Sequence, residues 1–88
     1  MIRLGRWLLI PAGDQGVAGR RLAAEGGRLA LGGQEEAGEG CWVAAEDAEL
    51  IETAGCGTYL RLGGPGRVEA AGEAVGLEPG LYQVVRRA

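Results

Sequence analysis

Apolar and polar residues alternate in short stretches along most of the chain, which is the pattern of β-strands with one buried face. The stretches "TYLRL" (58–62) and "RVEAA" (67–71) show it best. We expect one buried face to carry Leu60, Leu62, Val68 and Ala70, with Arg61, Arg67 and Glu69 on the opposite side. The N-terminal "IRLGRWLLI" and the C-terminal "LYQVVRR" are also predicted strands, the first with an irregularity near Gly5.

Glycine and proline separate these stretches, and the chain contains 18 Gly and 3 Pro. Glu25-Gly26-Gly27 predicts a tight hairpin between "VAGRRLA" and "GGRLALGG", and Glu78-Pro79-Gly80 predicts another turn. Gly63-Gly64-Pro65-Gly66 connects the two clearest strands. Turns spaced about 8–12 residues apart are typical of all-β folds. We therefore predict a single all-β domain over residues 1–88, a small barrel or sandwich of about six to eight short strands.

The segment 43–54, "VAAEDAELIETA", allows two interpretations. A short helix would place Val43, Leu50, Ile51 and Ala54 near one face, and Gly55 would then end it. A hairpin would instead pair "CWVAA" with "AELIET" around a turn at Glu46-Asp47. The hairpin is favoured because the neighbouring segments all have the length of strands and Ile51 and Thr53 favour a strand.

The apolar content is enough for a fold but gives it a thin core. Much of the 47% hydrophobic content is alanine, there is no Phe, and the aromatic residues are two Trp and two Tyr. Burial of so little apolar area barely offsets the conformational entropy lost on folding. The aliphatic runs favour order over disorder. Because the core is thin, we expect additional burial against other subunits or a larger partner.

Charge limits the classes of partner. The formal net charge is −3 and all nine positive charges are arginine, without the basic cluster that a nucleic-acid surface needs. The apolar run Trp7 to Ile10 is shorter than a signal-peptide core, and no segment approaches the length of a membrane span. We expect a soluble protein, cytoplasmic at synthesis and then incorporated into a particle, with no nucleic-acid or membrane partner.

The residues available for catalysis are few. The chain has no His, Ser or Lys, so Cys41, Cys56, Thr53 and Thr58 would be the nucleophiles, with no good base beside them. The two cysteines are expected to be reduced packing residues, with one disulfide as the alternative. The acidic runs "EEAGEG" and "EDAE" lack calcium-loop spacing, and Gly63–Gly66 lacks the Lys-Ser/Thr of a phosphate loop. We predict no enzyme activity, no metal and no cofactor.

Trp, Tyr and Arg are the residues that most often anchor protein interfaces. The candidate interface residues are therefore Trp7, Trp42, Tyr59, Tyr82, Arg20, Arg21, Arg86 and Arg87. The sequence is most consistent with a non-catalytic assembly protein, a homo-oligomer or a module docked on a larger symmetric particle. Its most specific form is an accessory protein of a phage-like particle, such as a capsid decoration or spike-base protein. The alternative is a ligand-binding β module in which Trp42, Tyr59 and Tyr82 line a sugar or small-molecule site.

Overall fold

The computed structural model describes residues 1–13, 16–32, 40–55 and 57–87. These residues form ten short strands and no helix. In chain order the strands are β1 (Ile2–Leu4), β2 (Trp7–Pro11), β3 (Arg20–Ala23), β4 (Arg28–Gly32), β5 (Cys41–Ala44), β6 (Ala48–Glu52), β7 (Thr58–Leu62), β8 (Gly66–Ala70), β9 (Glu73–Leu77) and β10 (Gly80–Arg86).

Two antiparallel sheets contain these strands. The large sheet has six strands in the order β1-β2-β10-β7-β6-β3, and the small sheet has four in the order β4-β5-β8-β9. Apolar side chains from one face of each sheet form a single core cluster. The all-β prediction is confirmed, and of the two architectures considered the structure has the sandwich. It has more strands than the six to eight expected, because turns divide several of the predicted stretches.

The alternation of apolar and polar residues correctly predicts which side chains face the core. Leu60, Leu62, Val68 and Ala70 are all buried, as expected from "TYLRL" and "RVEAA". Arg61 and Arg67 are exposed on the opposite faces. Along the small sheet, Leu29, Val43, Val68 and Val75 lie in one cross-strand row that faces the large sheet.

The helix considered for residues 43–54 is not formed, and the favoured hairpin is also wrong in its pairing. Both predicted strands are present as β5 and β6, but they belong to different sheets. The turn at Glu46-Asp47 carries the chain from the small sheet to the large one. Gly63 donates its backbone N–H to the carbonyl oxygen of Asp47 (2.9 Å), which joins this corner to the corner between β7 and β8.

Three other predicted connections are corners between sheets as well, and one of them, Glu78-Pro79-Gly80, leads from β9 of the small sheet to β10 of the large sheet. Gly26-Gly27 is a tight turn closed by two backbone hydrogen bonds between Glu25 and Arg28 (2.9 and 3.1 Å), but β3 and β4 then diverge into different sheets. Residues 63–65 likewise connect β7 of the large sheet to β8 of the small sheet. The irregularity expected near Gly5 is a full turn that separates β1 from β2.

Candidate functional site

The outer face of the small sheet, which points away from the core, has an unusual composition. It is built from alternate residues of β4, β5, β8 and β9, and the register places them in two cross-strand rows. One row is Ala30, Trp42, Glu69 and Ala74, and the other is Arg28, Ala44, Arg67 and Gly76. We call these eight residues the Trp42 face. Trp42 is its one large apolar side chain, surrounded by alanine, glycine and three charged residues.

Trp42 is held in place by Arg28. The guanidinium carbon of Arg28 lies 4.5 Å from the centroid of the indole ring, within the range of a cation–π contact. Ala30, the cross-strand partner of Trp42 on β4, is small and leaves room beside the ring. The indole is half-buried, so part of it remains accessible to a partner while its orientation is fixed.

An open cleft of about 460 Å³ adjoins the Trp42 face, between the edge strands β3 and β4. Its lining residues are Leu22, Ala23, Glu25, Arg28, Leu29, Ala30 and Trp42. This volume is within the range of small-molecule sites, and the lining is mainly apolar with one acidic and one basic side chain. Trp42 and Arg28 therefore belong both to the Trp42 face and to the lining of the cleft.

Trp7 and Tyr82, two of the predicted interface residues, instead belong to the core. Their exposed fractions are 6% and 7%. The Tyr82 hydroxyl donates a hydrogen bond to the backbone carbonyl of Glu78 (2.8 Å), which satisfies its polar atom inside the fold. The guanidinium carbon of Arg86 lies 5.6 Å from the centroid of the Trp7 ring. Neither aromatic ring is placed to contact a partner on the surface.

The remaining predicted interface residues lie on the large sheet, except Arg87, which directly follows its strand β10. Tyr59 is half-buried on its outer face, whereas Trp42 lies on the outer face of the opposite sheet. Arg21 forms a salt bridge with Glu49, which is also 3.8 Å from Arg61. Arg20 and Arg87 are exposed, and the backbone N–H of Arg87 donates to the carbonyl of Arg6 (2.6 Å). The structure thus does not bring Trp42, Tyr59 and Tyr82 together, and a ligand site lined by all three is not formed.

Two of the residues considered for catalysis, Thr53 and Cys41, have side chains that bond or pack within the fold. The hydroxyl of Thr53 donates to the carbonyl of Gly57 (2.6 Å), and Cys41 is fully buried in the core. Within the described ranges, no three acidic or cysteine side chains are close enough together to hold a metal ion. Cys56 and the predicted acidic run Glu35, Glu36 and Glu39 lie outside those ranges. Nor does any helix of sufficient length and hydropathy to span a membrane occur in the described part of the chain.

The burial of Cys41 predicts a dependence of stability on pH. Desolvation raises the pKa of its thiol from 9.0 to about 12. Above about pH 9 the thiol ionises in the unfolded chain but stays protonated in the fold. The contribution of this thiol to stability is therefore fully present below about pH 9 and decreases as the pH rises towards 12. In urea unfolding at about pH 7 and about pH 10, the wild type should lose more stability than Cys41→Ala between the two conditions. Equal losses in both proteins would contradict this assignment.

Arg28 is the residue of this site that the sequence did not reveal. It lies on β4 diagonally across from Trp42, since Arg28 pairs with Ala44 and Ala30 pairs with Trp42. Such a contact follows only from the pairing register of two strands separated by a long connection. The outward direction of Arg28 could have been predicted, because on a strand it alternates with the buried Leu29.

Comparison of the chain with protein-family models, with curated proteins and with solved structures finds no match.

Proposed function

We propose that this protein is a non-catalytic docking module that binds a larger symmetric assembly through the Trp42 face. The observation that carries the proposal is the half-exposed indole of Trp42, fixed beneath Arg28 on a face otherwise made of small and charged residues. Tryptophan and arginine are the residues most enriched among interface hot spots. An indole already held in one orientation also loses little conformational entropy on binding.

The surroundings of Trp42 support a protein partner rather than a reaction. Ala30, Ala44 and Ala74 keep the face flat, and a flat face suits a protein surface better than it encloses a substrate. Arg67 and Glu69 form a salt bridge (3.5 Å) beside Trp42 and supply the polar rim that interfaces generally have. The thin core and the small size of the chain fit an accessory component of a phage-like particle, which is the most specific form of the proposal.

The test is to map the partner contact directly. A photo-crosslinking residue at Ala44, within the Trp42 face, should give one dominant crosslinked partner in cells that produce the assembly. The same residue at Tyr59, on the opposite sheet, serves as the control and should not. Recovery of equal crosslinks from both positions, or from neither, would contradict docking through this face.

With the partner identified, Trp42→Ala should weaken binding about 30-fold, the effect of losing a hot spot of about 2 kcal/mol. The fold should persist, because Trp42 is outside the core cluster. Tyr59→Ala is the matched control and should leave the affinity unchanged. Affinities from calorimetry and circular dichroism spectra of both variants separate lost binding from lost structure, and unchanged binding by Trp42→Ala would contradict the proposal.

A second candidate function is supported by the cleft between β3 and β4. We infer that a small apolar ligand binding there would contact Trp42, with Glu25 and Arg28 available for polar groups. Of the three aromatic residues in the ligand-binding alternative, Trp42 is the one that lines this cleft. A ligand screen followed by tryptophan fluorescence in the wild type and in Trp42→Ala would detect it. A ligand that changes fluorescence equally in both proteins would place binding elsewhere.

A further inference from the structure

The sandwich has four edge strands, and three of them are protected against pairing with another chain. β1 is three residues long, and β3 begins with the exposed Arg20 and Arg21. β4 has a bulge between Ala30 and Gly32, and the outward N–H and C=O of Arg28 are both bonded to Glu25. Short length, charge, bulges and covering contacts are the devices by which edge strands avoid association.

Among the described residues, the fourth edge, β9, has no bulge and no covering backbone hydrogen bond, and it carries a single charge. Its five residues, "EAVGL", pair with β8 in continuous register from Ala70↔Glu73 to Gly66↔Leu77. Glu73 at its first position is its one charged residue, and Pro79 lies two residues beyond its end. Val75 is half-buried at the margin of the core and Gly76 is exposed. A largely uncharged edge in continuous register is available for a further strand.

The hairpin geometry determines which backbone groups of β9 are free to pair. Ala71-Gly72 is a two-residue turn with positive φ at both positions (53° and 75°), which makes Ala70 and Glu73 a hydrogen-bonded pair. Hydrogen-bonded pairs alternate along an antiparallel ladder, so Val75 and Leu77 also bond to β8. The N–H and C=O groups of Ala74 and Gly76 therefore point outward, away from the sheet.

We propose that β9 pairs with β9 of a second copy of this chain, antiparallel and centred on Val75. In that register Ala74 lies opposite Gly76 of the other copy, and each such pair exchanges two backbone hydrogen bonds. Glu73 lies opposite Leu77, so no like charges meet, and the half-buried Val75 side chains cover one another. A parallel pairing would instead place the two Glu73 carboxylates side by side. Pro79 lacks an N–H and limits the pairing to β9.

This arrangement turns the small sheet into an eight-stranded sheet that runs through both copies. Its two-fold axis is perpendicular to the sheet, so the two Trp42 faces lie on the same side. The two copies of β5 are five strand spacings apart, about 24 Å at about 4.8 Å per spacing. The pair would present two identical surfaces to a symmetric target. The pairing itself stands independently of the proposed function, since it uses the backbone edge of β9 and not the indole of Trp42.

The experiment is sedimentation equilibrium over a wide concentration series with two matched variants. The wild type should show a reversible monomer–dimer equilibrium. Ala74→Lys should weaken the dimer at least tenfold, because it places two lysines close to the axis on an edge that now carries charge. Ala30→Lys introduces the same change in the same cross-strand row at the opposite edge of the sheet, and should leave the equilibrium unchanged. A wild type that stays monomeric throughout, or equal weakening by both variants, would overturn the proposal.

Amide hydrogen exchange supplies a second, residue-specific readout. The Ala74 and Gly76 amides should exchange rapidly in dilute protein and slow down as the concentration rises, whereas the Val75 and Leu77 amides should be protected throughout. A dimer in which Ala74 and Gly76 remain unprotected would place the interface elsewhere and overturn the proposal. Trp42→Ala should dimerise normally, so failure of docking and failure of pairing are distinguishable.

Discussion

Replacing Leu60 by alanine is expected to destabilise the fold by about 3 kcal/mol, within the range of about 2–5 kcal/mol measured for buried leucines. Leu60 is fully buried, with an exposed fraction of 0%. It lies at the centre of the large sheet, where its cross-strand neighbours are Tyr82 on β10 and Leu50 on β6. Truncation leaves a cavity that the surrounding strands, constrained by the register of the sheet, cannot close.

The stability lost in Leu60→Ala is large relative to the total free energy of unfolding. A domain of this length has a stability of about 4–13 kcal/mol, so one leucine accounts for a substantial fraction of it. Urea unfolding followed by far-ultraviolet circular dichroism measures the change, with an unchanged slope if the denatured state is unaffected. Leu8→Ala is the matched control, since Leu8 is half-buried on the outer face of β2, and it should cost less than half as much. Equal losses in the two variants would contradict the assignment of the core.

Sequence patterns predicted the faces of the strands but not their partners. Alternation in "TYLRL" and "RVEAA" correctly placed Leu60 and Val68 inside, because burial requires a period of two whatever strand lies alongside. Pairing depends on where the chain goes after a turn. Gly63-Gly64-Pro65-Gly66 and Glu46-Asp47 have the residues of hairpin turns, yet each carries the chain between sheets.

Ala71-Gly72 is the opposite case, a hairpin that the turn-forming residues did not predict. These two residues form the actual hairpin turn between β8 and β9, although an alanine with φ of 53° is not an expected turn former. The turn is set by the pairing of the strands on either side, which the local sequence does not encode. Turn-forming residues therefore predicted a hairpin at Glu25-Gly26-Gly27, where the structure has a corner between sheets, and gave no prediction of the hairpin at Ala71-Gly72.

The sequence indicated only part of the candidate site, because it does not show how the strands pair. Trp42 was selected as an aromatic residue of interface type, and the structure places it half-exposed on the outer face of the small sheet, where its role in an interface stays a prediction. Trp7 was selected by the same criterion but is buried, since "RWLLI" gives no indication of which side of β2 meets the second sheet. Its ring packs within 3.0 Å of the position that a Cβ on Gly32 would occupy, so the core is closed by a contact between β2 and β4 that are far apart in sequence.

Both proposed surfaces lie where the described residues leave the small sheet uncovered or unpaired. Trp42 lies on the face that the large sheet does not cover, and β9 is an edge that has no bulge and carries one charged residue, Glu73. The large sheet differs, because Arg21, Glu49 and Arg61 satisfy one another on its outer face. The large sheet therefore contains most of the strand pairs, and the two surfaces that we propose for association both belong to the small sheet.

Gly19→Ala is expected to destabilise the protein by about 2–3 kcal/mol, although Gly19 is exposed and precedes the edge strand β3. A Cβ at this position would overlap the backbone carbonyl oxygen of Glu52 and lie 2.8 Å from its carbonyl carbon and 3.1 Å from the Cα of Thr53. These are backbone atoms of β6 and its end, which cannot rotate away as a side chain would. The start of β3 must therefore move outward, which weakens the Arg20↔Glu52 end of its pairing.

Gly16 provides the matched control, three residues earlier in the same connection. Apart from its chain neighbours, no atom of the described residues lies within 4 Å of the position of its Cβ, so Gly16→Ala should be neutral or stabilise the fold by about 0.4–1 kcal/mol through the unfolded chain. Urea unfolding measures both variants, and hydrogen exchange of the β3 and β6 amides locates the loss. Protection should fall along β3 and β6 in Gly19→Ala and remain intact on β8 and β9. Equal stabilities of the two variants would show that β3 does not approach β6 as closely as the structure has it, and the placement of the large sheet's outer edge would then have to change.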